Sequence, residues 1–411
     1  MSQPTPLNRA ISLPMLVLYG LGTTIGAGIY ALVGELAGAS GYLAPAAFLV
    51  ASVLAGITAL SFAELSSRFP WAAGAALYTR EGFGSEHLST LVGLLVVSAG
   101  LVSSAALVNA FAGYLMPLLD PLFELNRVTI ILLATLFLGI FAAWGIVQSI
   151  LITATMTLLG MTGLMIVIYV GHGALADLAT EWPKLIPTTD FTSWGLIFAG
   201  TLLAFYAFIG FEDMVVVAEE VKDVKHNLPL AILLTLGITT LIYMLIMTIA
   251  VLSIPPETLA QSSAPMALLY QFHTGEDAKF ISLIGLFAII DGVLIQMIMA
   301  SRVLYGLSSK GQLPTFLSRV HPKTQTPLFA TGFTLCCVLI LALVGRLGSL
   351  AELTSIIMLI VFSLVNLSLW RIKQRQPHNE GNINLPSWIS LSAFIVSSVF
   401  VVLEVTKFFI K

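Results

Sequence analysis

Apolar runs of about 20 residues or more, separated by short polar stretches, fill almost the whole chain, and that is the length a helix needs to cross a bilayer. Barrel strands would instead alternate apolar and polar positions over about 10 residues. The pattern predicts helical spans at about 13 to 36, 42 to 67, 88 to 117, 128 to 146, 149 to 171, 193 to 218, 229 to 253, 279 to 307, 328 to 345, 349 to 370 and 388 to 410. Eleven spans result. The longer connections carry turn punctuation, as in Glu181-Trp182-Pro183 and Pro255-Pro256, and neither a second soluble domain nor a low-complexity segment finds room.

Composition agrees with the pattern. Of 411 residues 58% are hydrophobic and only 9% charged, with a mean hydropathy of +0.98, whereas about a quarter of a soluble domain is charged. The expected class is an all-α integral membrane protein, with lipid as its surroundings. A net charge of -3 gives no reason to expect nucleic acid. Cys336 and Cys337, adjacent in an apolar run, read as small core residues. The chain opens MSQPTPLNRAISLP with no separate signal-like region, so the first span reads as retained. With the N-terminus cytoplasmic, twelve of the 18 lysines and arginines fall on the inner side, including Arg9, Arg68, Arg80, Lys222, Arg302 and Lys373, as the positive-inside rule asks.

Two places break the helical pattern. Gly22-Thr23-Thr24-Ile25-Gly26-Ala27-Gly28 puts three glycines beside two β-branched threonines in the first span, each glycine costing about 1 kcal/mol against alanine. Phe205-Tyr206-Ala207-Phe208-Ile209-Gly210-Phe211-Glu212-Asp213 does the same in the sixth, with two acids inside an apolar run. Bare peptide groups at membrane depth are tolerated where they are buried in protein or line a watery cavity. Close helix packing through Gly22 and Gly26 is the plain alternative for the first motif alone. The breaks lie five spans apart, an odd number, so two five-span halves have opposite orientation, as in transporters whose broken helices meet at mid-bilayer.

Gly22-x-x-Ile25-Gly26-Ala27-Gly28-Ile29-Tyr30, Ala63-Glu64-Leu65-Ser66-Ser67-Arg68-Phe69-Pro70, Gly74-Ala75-Ala76-Leu77-Tyr78-Thr79-Arg80, Phe208-Ile209-Gly210-Phe211-Glu212, Ala218-Glu219-Glu220-Val221-Lys222 and Met299-Ala300-Ser301-Arg302-Val303-Leu304-Tyr305-Gly306 follow one another over residues 20 to 330. In this order they resemble the signatures of the amino acid-polyamine-organocation (APC) superfamily of amino acid permeases. The resemblance implies a five-plus-five inverted repeat with helices 1 and 6 discontinuous, residues 1–171 and 172–370 forming the repeats and 371–411 an eleventh helix where relatives usually have two more. It implies secondary active transport of amino acids by alternating access across the cell inner (plasma) membrane, with proton-coupled uptake ahead of sodium-independent amino acid or polyamine exchange. No cofactor and no metal are implied.

The resemblance also assigns residues. The substrate carboxylate meets the amides of Gly26, Ala27 and Gly28, and its ammonium meets carbonyls of Thr23 or Thr24 and of Tyr206, Phe208 and Ile209, with Ile25 in the apolar lining. Helix ends suit these charges, since an N-terminus offers unpaired N–H groups and a C-terminus free carbonyls. Ser104 and Gln296 align with substrate-contacting positions, although helix-to-helix hydrogen bonding also accounts for them. Glu212 is the proton-sensitive candidate, set against a structural acid bonded to the broken backbone. Asp213, about 100° away on an α-helix, is expected not to share its cavity. Asp291, the third intramembrane acid, joins Glu212 and Asp213 as a proton-coupling candidate that lines the pathway or meets a cationic side chain, set against a satisfied structural role. Gly160 stands where proton-coupled relatives carry a lysine, and no lysine or arginine lies between Arg127 and Lys184. Glu64, Glu219 and Glu220 face Arg68, Arg80 and Arg302 as a gate or a fixed network, and Tyr30, Tyr206 and Phe208 are placed to cover a substrate. HExxH, nucleophile-elbow and phosphate-loop motifs are absent from the sequence, which speaks against an enzyme.

Overall fold

A computed structural model describes residues 9–25, 28–71, 74–119, 126–144, 150–321, 326–377 and 383–410. These are helical almost throughout. In order come α1 (Leu13–Ile25), α2 (Gly28–Ser40), α3 (Ala44–Arg68), α4 (Gly74–Phe83), α5 (Glu86–Leu119), α6 (Arg127–Trp144), α7 (Ile150–Gly171), α8 (Leu178–Leu185), α9 (Phe191–Tyr206), α10 (Val224–Ser253), α11 (Pro256–Gln261), α12 (Pro265–Thr274), α13 (Lys279–Ser309), α14 (Leu328–Val344), α15 (Leu347–Arg375) and α16 (Ser387–Ile410). Among the described residues the one β pairing is an isolated parallel bridge between Ile11 and Val221.

Among the described residues eight stretches of helix are long and apolar enough to cross a membrane, and Leu13–Ile25, Arg127–Ala143 and Leu328–Val344 are shorter apolar helices. The chain is a multi-pass membrane protein. Helix ends follow local chemistry. Asp190 caps α9 by accepting from the Ser193 amide, Pro45 stands in the first turn of α3, and Gly275 ends α12 in the left-handed region while its amide bonds the Gln271 carbonyl. The short helices α4, α8, α11 and α12 occupy connections that the span pattern leaves as loops.

Of the two expected weak places, the one in the sixth span departs from α geometry. In the first predicted span α1 runs up to Ile25 and α2 begins at Gly28, and Gly26 and Ala27, where the break is expected, lie outside the described residues. In the sixth, α9 ends at Tyr206, a turn covers 207–210, and residues Phe211–Glu220 form a 3-10 helix, ten residues where runs beyond about four are uncommon.

Burial explains the arrangement around that turn. Phe62 meets Tyr78, Phe211 and Phe362 edge to face, and Phe208 packs against Phe48 and Tyr243. All seven of these side chains are essentially fully buried, so α3, α10 and α15 enclose the end of α9 in an aromatic shell. Outward faces carry the opposite signature. Leu133, Phe137 and Ile140 of α6, Leu241 of α10 and Val402 of α16 are exposed large hydrophobics, as a lipid-facing surface requires.

Candidate functional site

The α1–α2 junction and the end of α9 touch. Gly210 adopts φ +125°, open to glycine and strained for other residues, and a Cβ there would stand 2.3 Å from the Thr23 carbonyl oxygen. Gly28 lies as close to the other side, where a Cβ would stand 3.0 Å from Ala207 Cα. Hydrogen bonds lock the approach. Thr23 Oγ1 donates to the Gly210 carbonyl at 2.9 Å, and Tyr243 Oη of α10 donates to Thr24 O at 2.9 Å and to Ala207 O at 3.0 Å. One phenol thus holds a carbonyl from each of the two segments, which no feature of the two motifs announces. The signal was the general one that a tyrosine inside a span needs a partner for its hydroxyl.

A pocket of about 30 Å³ sits against this junction, lined by Thr23, Thr24 and Gly28 on one side and by Tyr206, Ile209 and Gln296 on others. These six expected residues are therefore brought together. The Thr24 hydroxyl is buried with no hydrogen-bond partner, and the Tyr206 hydroxyl pairs with Ser103 Oγ at 2.9 Å. Ser103 lines the pocket, whereas Ser104 turns away and donates to Gly100 O within α5. Gly100, Ser103 and Leu107 lie on one helical face, and that three-and-four spacing is the signal that singles out Ser103. Phe208 is also placed elsewhere, packed among Phe48 and Tyr243 and not lining the pocket. Ile25 faces a different hollow, with Asp291. Tyr30 is fully buried and its hydroxyl donates to Gly160 O at 2.7 Å.

Ser103, Ile209, Ile295 and Gln296 of this pocket also line a neighbouring cavity of about 570 Å³. Both Glu212 and Asp213 line it, which corrects the expectation that they face different ways. Val216, Val217 and Glu220 of the same segment line it too. Glu212 Oε2 accepts from the Gly210 amide at 2.9 Å, and Asp213 Oδ2 is buried without a partner. Glu220 and Arg302 line the same cavity near α4.

The expected acid and base constellation at that end divides. Glu64 is fully buried and paired with Arg68 at 2.7 Å and Lys373 at 2.8 Å, while it also accepts from the Leu385 amide at 3.1 Å. Lys373, which sequence reading counted only for orientation, thereby ties α3, α15 and the segment before α16 into a fixed cluster. Arg80 pairs with its neighbour Glu81 instead.

Residues 11–411 match the family described as amino acid permease. The chain is 29% identical over 423 residues to "Cationic amino acid transporter 2, vacuolar" of Arabidopsis thaliana, covering 98% of this chain and 65% of the relative. It is 30% identical to "Cationic amino acid transporter 4, vacuolar" of the same plant, over 88% of this chain and 63% of the relative. With "Branched-chain amino acid permease BcaP" of Bacillus subtilis (strain 168) identity is 26%, over 90% of this chain and 82% of the relative. The chain thus spans slightly less than two thirds of the length of the plant relatives.

Proposed function

We propose that this chain, which belongs to the amino acid permease family, is a secondary active transporter that carries amino acids across the plasma membrane by alternating access. Eleven spans are arranged as inverted repeats over 1–171 and 172–370 with 371–411 added, the N-terminus is cytoplasmic, and helices 1 and 6 are discontinuous. The carrying observation is the pocket where residues 22–24 and 28 of the first segment and Tyr206 and Ile209 of the sixth line one hollow. An amino acid's ammonium suits the carbonyls of Thr23 and Thr24, and its carboxylate suits the α2 end at Gly28. No charged side chain lines that pocket, which supports amino acids with uncharged side chains or a broad range.

Glu212 carries the proton in this reading. It reaches the cavity and holds the Gly210 amide, so protonation exchanges a charge-assisted bond for a weaker one and loosens the turn beside the substrate. Asp213, in the same cavity, shares the site's acid character. One observation favours sodium-independent exchange as the second reading: α7 has no basic residue to stand in for a coupling cation.

Proteoliposomes with an imposed pH gradient and no sodium, given a panel of labelled amino acids, test both readings. Accumulation is expected. A strict sodium requirement sinks the proton mechanism, uptake only into preloaded vesicles favours exchange, and transport of none of the panel refutes the function.

A further inference from the structure

Asp291 stands apart from the cavity that holds Glu212 and Asp213. It lies midway along α13, is 2% exposed, and its Oδ1 has no hydrogen-bond partner. Its side chain lines a separate pocket of about 10 Å³, room for about one water, walled by Leu21 and Ile25 of α1 and by Met156, Thr157, Gly160 and Met161 of α7. An ionised carboxylate is costly in so apolar a hollow, and a neutral carboxyl group much less so.

No described cation compensates it. The α7 sequence contains no charged residue, and its titratable Tyr169 is exposed at the far end of the helix. On α13 the next charged residue is Arg302, about three turns away in the large cavity. From α1 the titratable group within electrostatic reach is Tyr19, which also senses Asp213, Glu220 and Arg302.

The position of this pocket gives the acid a use. Ile25, the last residue of α1, walls the Asp291 pocket, while Gly22, Thr23 and Thr24 of the same turn line the central pocket. One helical turn is shared by both. We infer that Asp291 is a second proton-binding residue, which holds a proton while the last turn of α1 is seated against α7 and α13 and yields it when that turn moves away. The proton leaves the carboxyl oxygen for entering water, and the carboxylate left behind is hydrated by the same opening; no other reactant is needed. This rests on the transport reading above, and adds to it that proton occupancy is read through the last turn of α1, which lines the substrate pocket, at a site separate from Glu212.

Two measurements on purified wild type and Asp291→Asn test it. Infrared difference spectra in lipid should show a protonated-carboxyl band in the wild type that is missing from the variant; identical spectra overturn the inference, whatever the transport result. Exchange of a labelled amino acid at equal pH on both sides should vary with pH in the wild type, by up to about tenfold per unit for a single proton, and markedly less in the variant. A wild-type pH profile in Asp291→Asn reduces the residue to a fixed neutral acid and also overturns the inference. If no amino acid exchanges even in the wild type, the transport reading has failed, and the infrared band still decides whether Asp291 holds a proton. Should Asp291→Asn not fold, Asp291→Leu serves the infrared comparison.

Discussion

Gly210→Ala probes the contact on which the site depends. The native φ of +125° is foreign to alanine, and holding a side chain in such a region costs about 1 to 3 kcal/mol. The added Cβ would also stand 2.3 Å from Thr23 O and 2.7 Å from Thr23 C, so the two segments must part by roughly 1 Å to reach ordinary contact. That separation strains the Thr23 hydroxyl bond to Gly210 O, worth about 1 kcal/mol. Together the loss is about 2 to 4 kcal/mol, and if it falls on the substrate-ready junction, exchange slows by at least about thirtyfold. Gly237→Ala is the control, because nothing lies within 4 Å of its added methyl group in α10 and the helix should gain up to about 1 kcal/mol. Counterflow in proteoliposomes and thermal melts of the purified proteins read the two effects. A Gly210→Ala protein with wild-type exchange and wild-type melting would refute the claim that these segments are locked together.

Further outcomes follow from neighbouring bonds. Tyr243→Phe leaves Thr24 O and Ala207 O without their shared donor and should destabilise by about 1 to 3 kcal/mol in a thermal melt, with weaker substrate binding; an unchanged melt would mean that water replaces the phenol. Glu64→Gln leaves Arg68 and Lys373 buried beside a neutral group and should cost about 3 to 5 kcal/mol, more than Lys373→Met, and the triple variant Glu64→Met, Arg68→Met and Lys373→Met should recover much of it. Asp190 at the start of α9 is held down to about 2 by hydrogen bonds from Thr188, from the Ser193 hydroxyl and from the Ser193 amide. Its cap is therefore intact above the ordinary carboxylate range and lost as pH falls toward about 2, which amide exchange at Ser193 should report and Asp190→Asn should abolish.

Much of this was legible because membrane helices are constrained by length. Ten of the eleven predicted stretches begin within a few residues of a helix in the structure, and the first begins at Leu13 as α1 does. Gly210 beside Ile209 also marked where the sixth span departs from α geometry, since the cost is local. What remained hidden depends on partners distant in sequence. Tyr243 lies 219 residues from Thr24, and Lys373 lies 309 residues from Glu64. Nothing near either residue encodes the pairing. The error on Asp213 has a different origin: successive residues of the 3-10 segment are about 120° apart, so helix rotation does not unite the two acids, and it is the breadth of the cavity, lined from Glu212 to Glu220, that reaches both.

Glu212 has two plausible duties, and the choice of substitution separates them. Its carboxylate caps the turn by accepting from the Gly210 amide, and it also faces the cavity. Glutamine keeps an oxygen that can accept the same bond and removes only the capacity to gain and lose a proton. Alanine removes both, and by analogy with lost helix caps should cost about 1 kcal/mol. If Glu212 is a cap alone, Glu212→Gln accumulates substrate as the wild type does and only Glu212→Ala is impaired. If it carries the proton, Glu212→Gln keeps its melting temperature and its exchange activity yet loses accumulation driven by a pH gradient. The decisive result is thus a stable glutamine variant, and unchanged gradient-driven accumulation in that protein would remove Glu212 from the coupling mechanism.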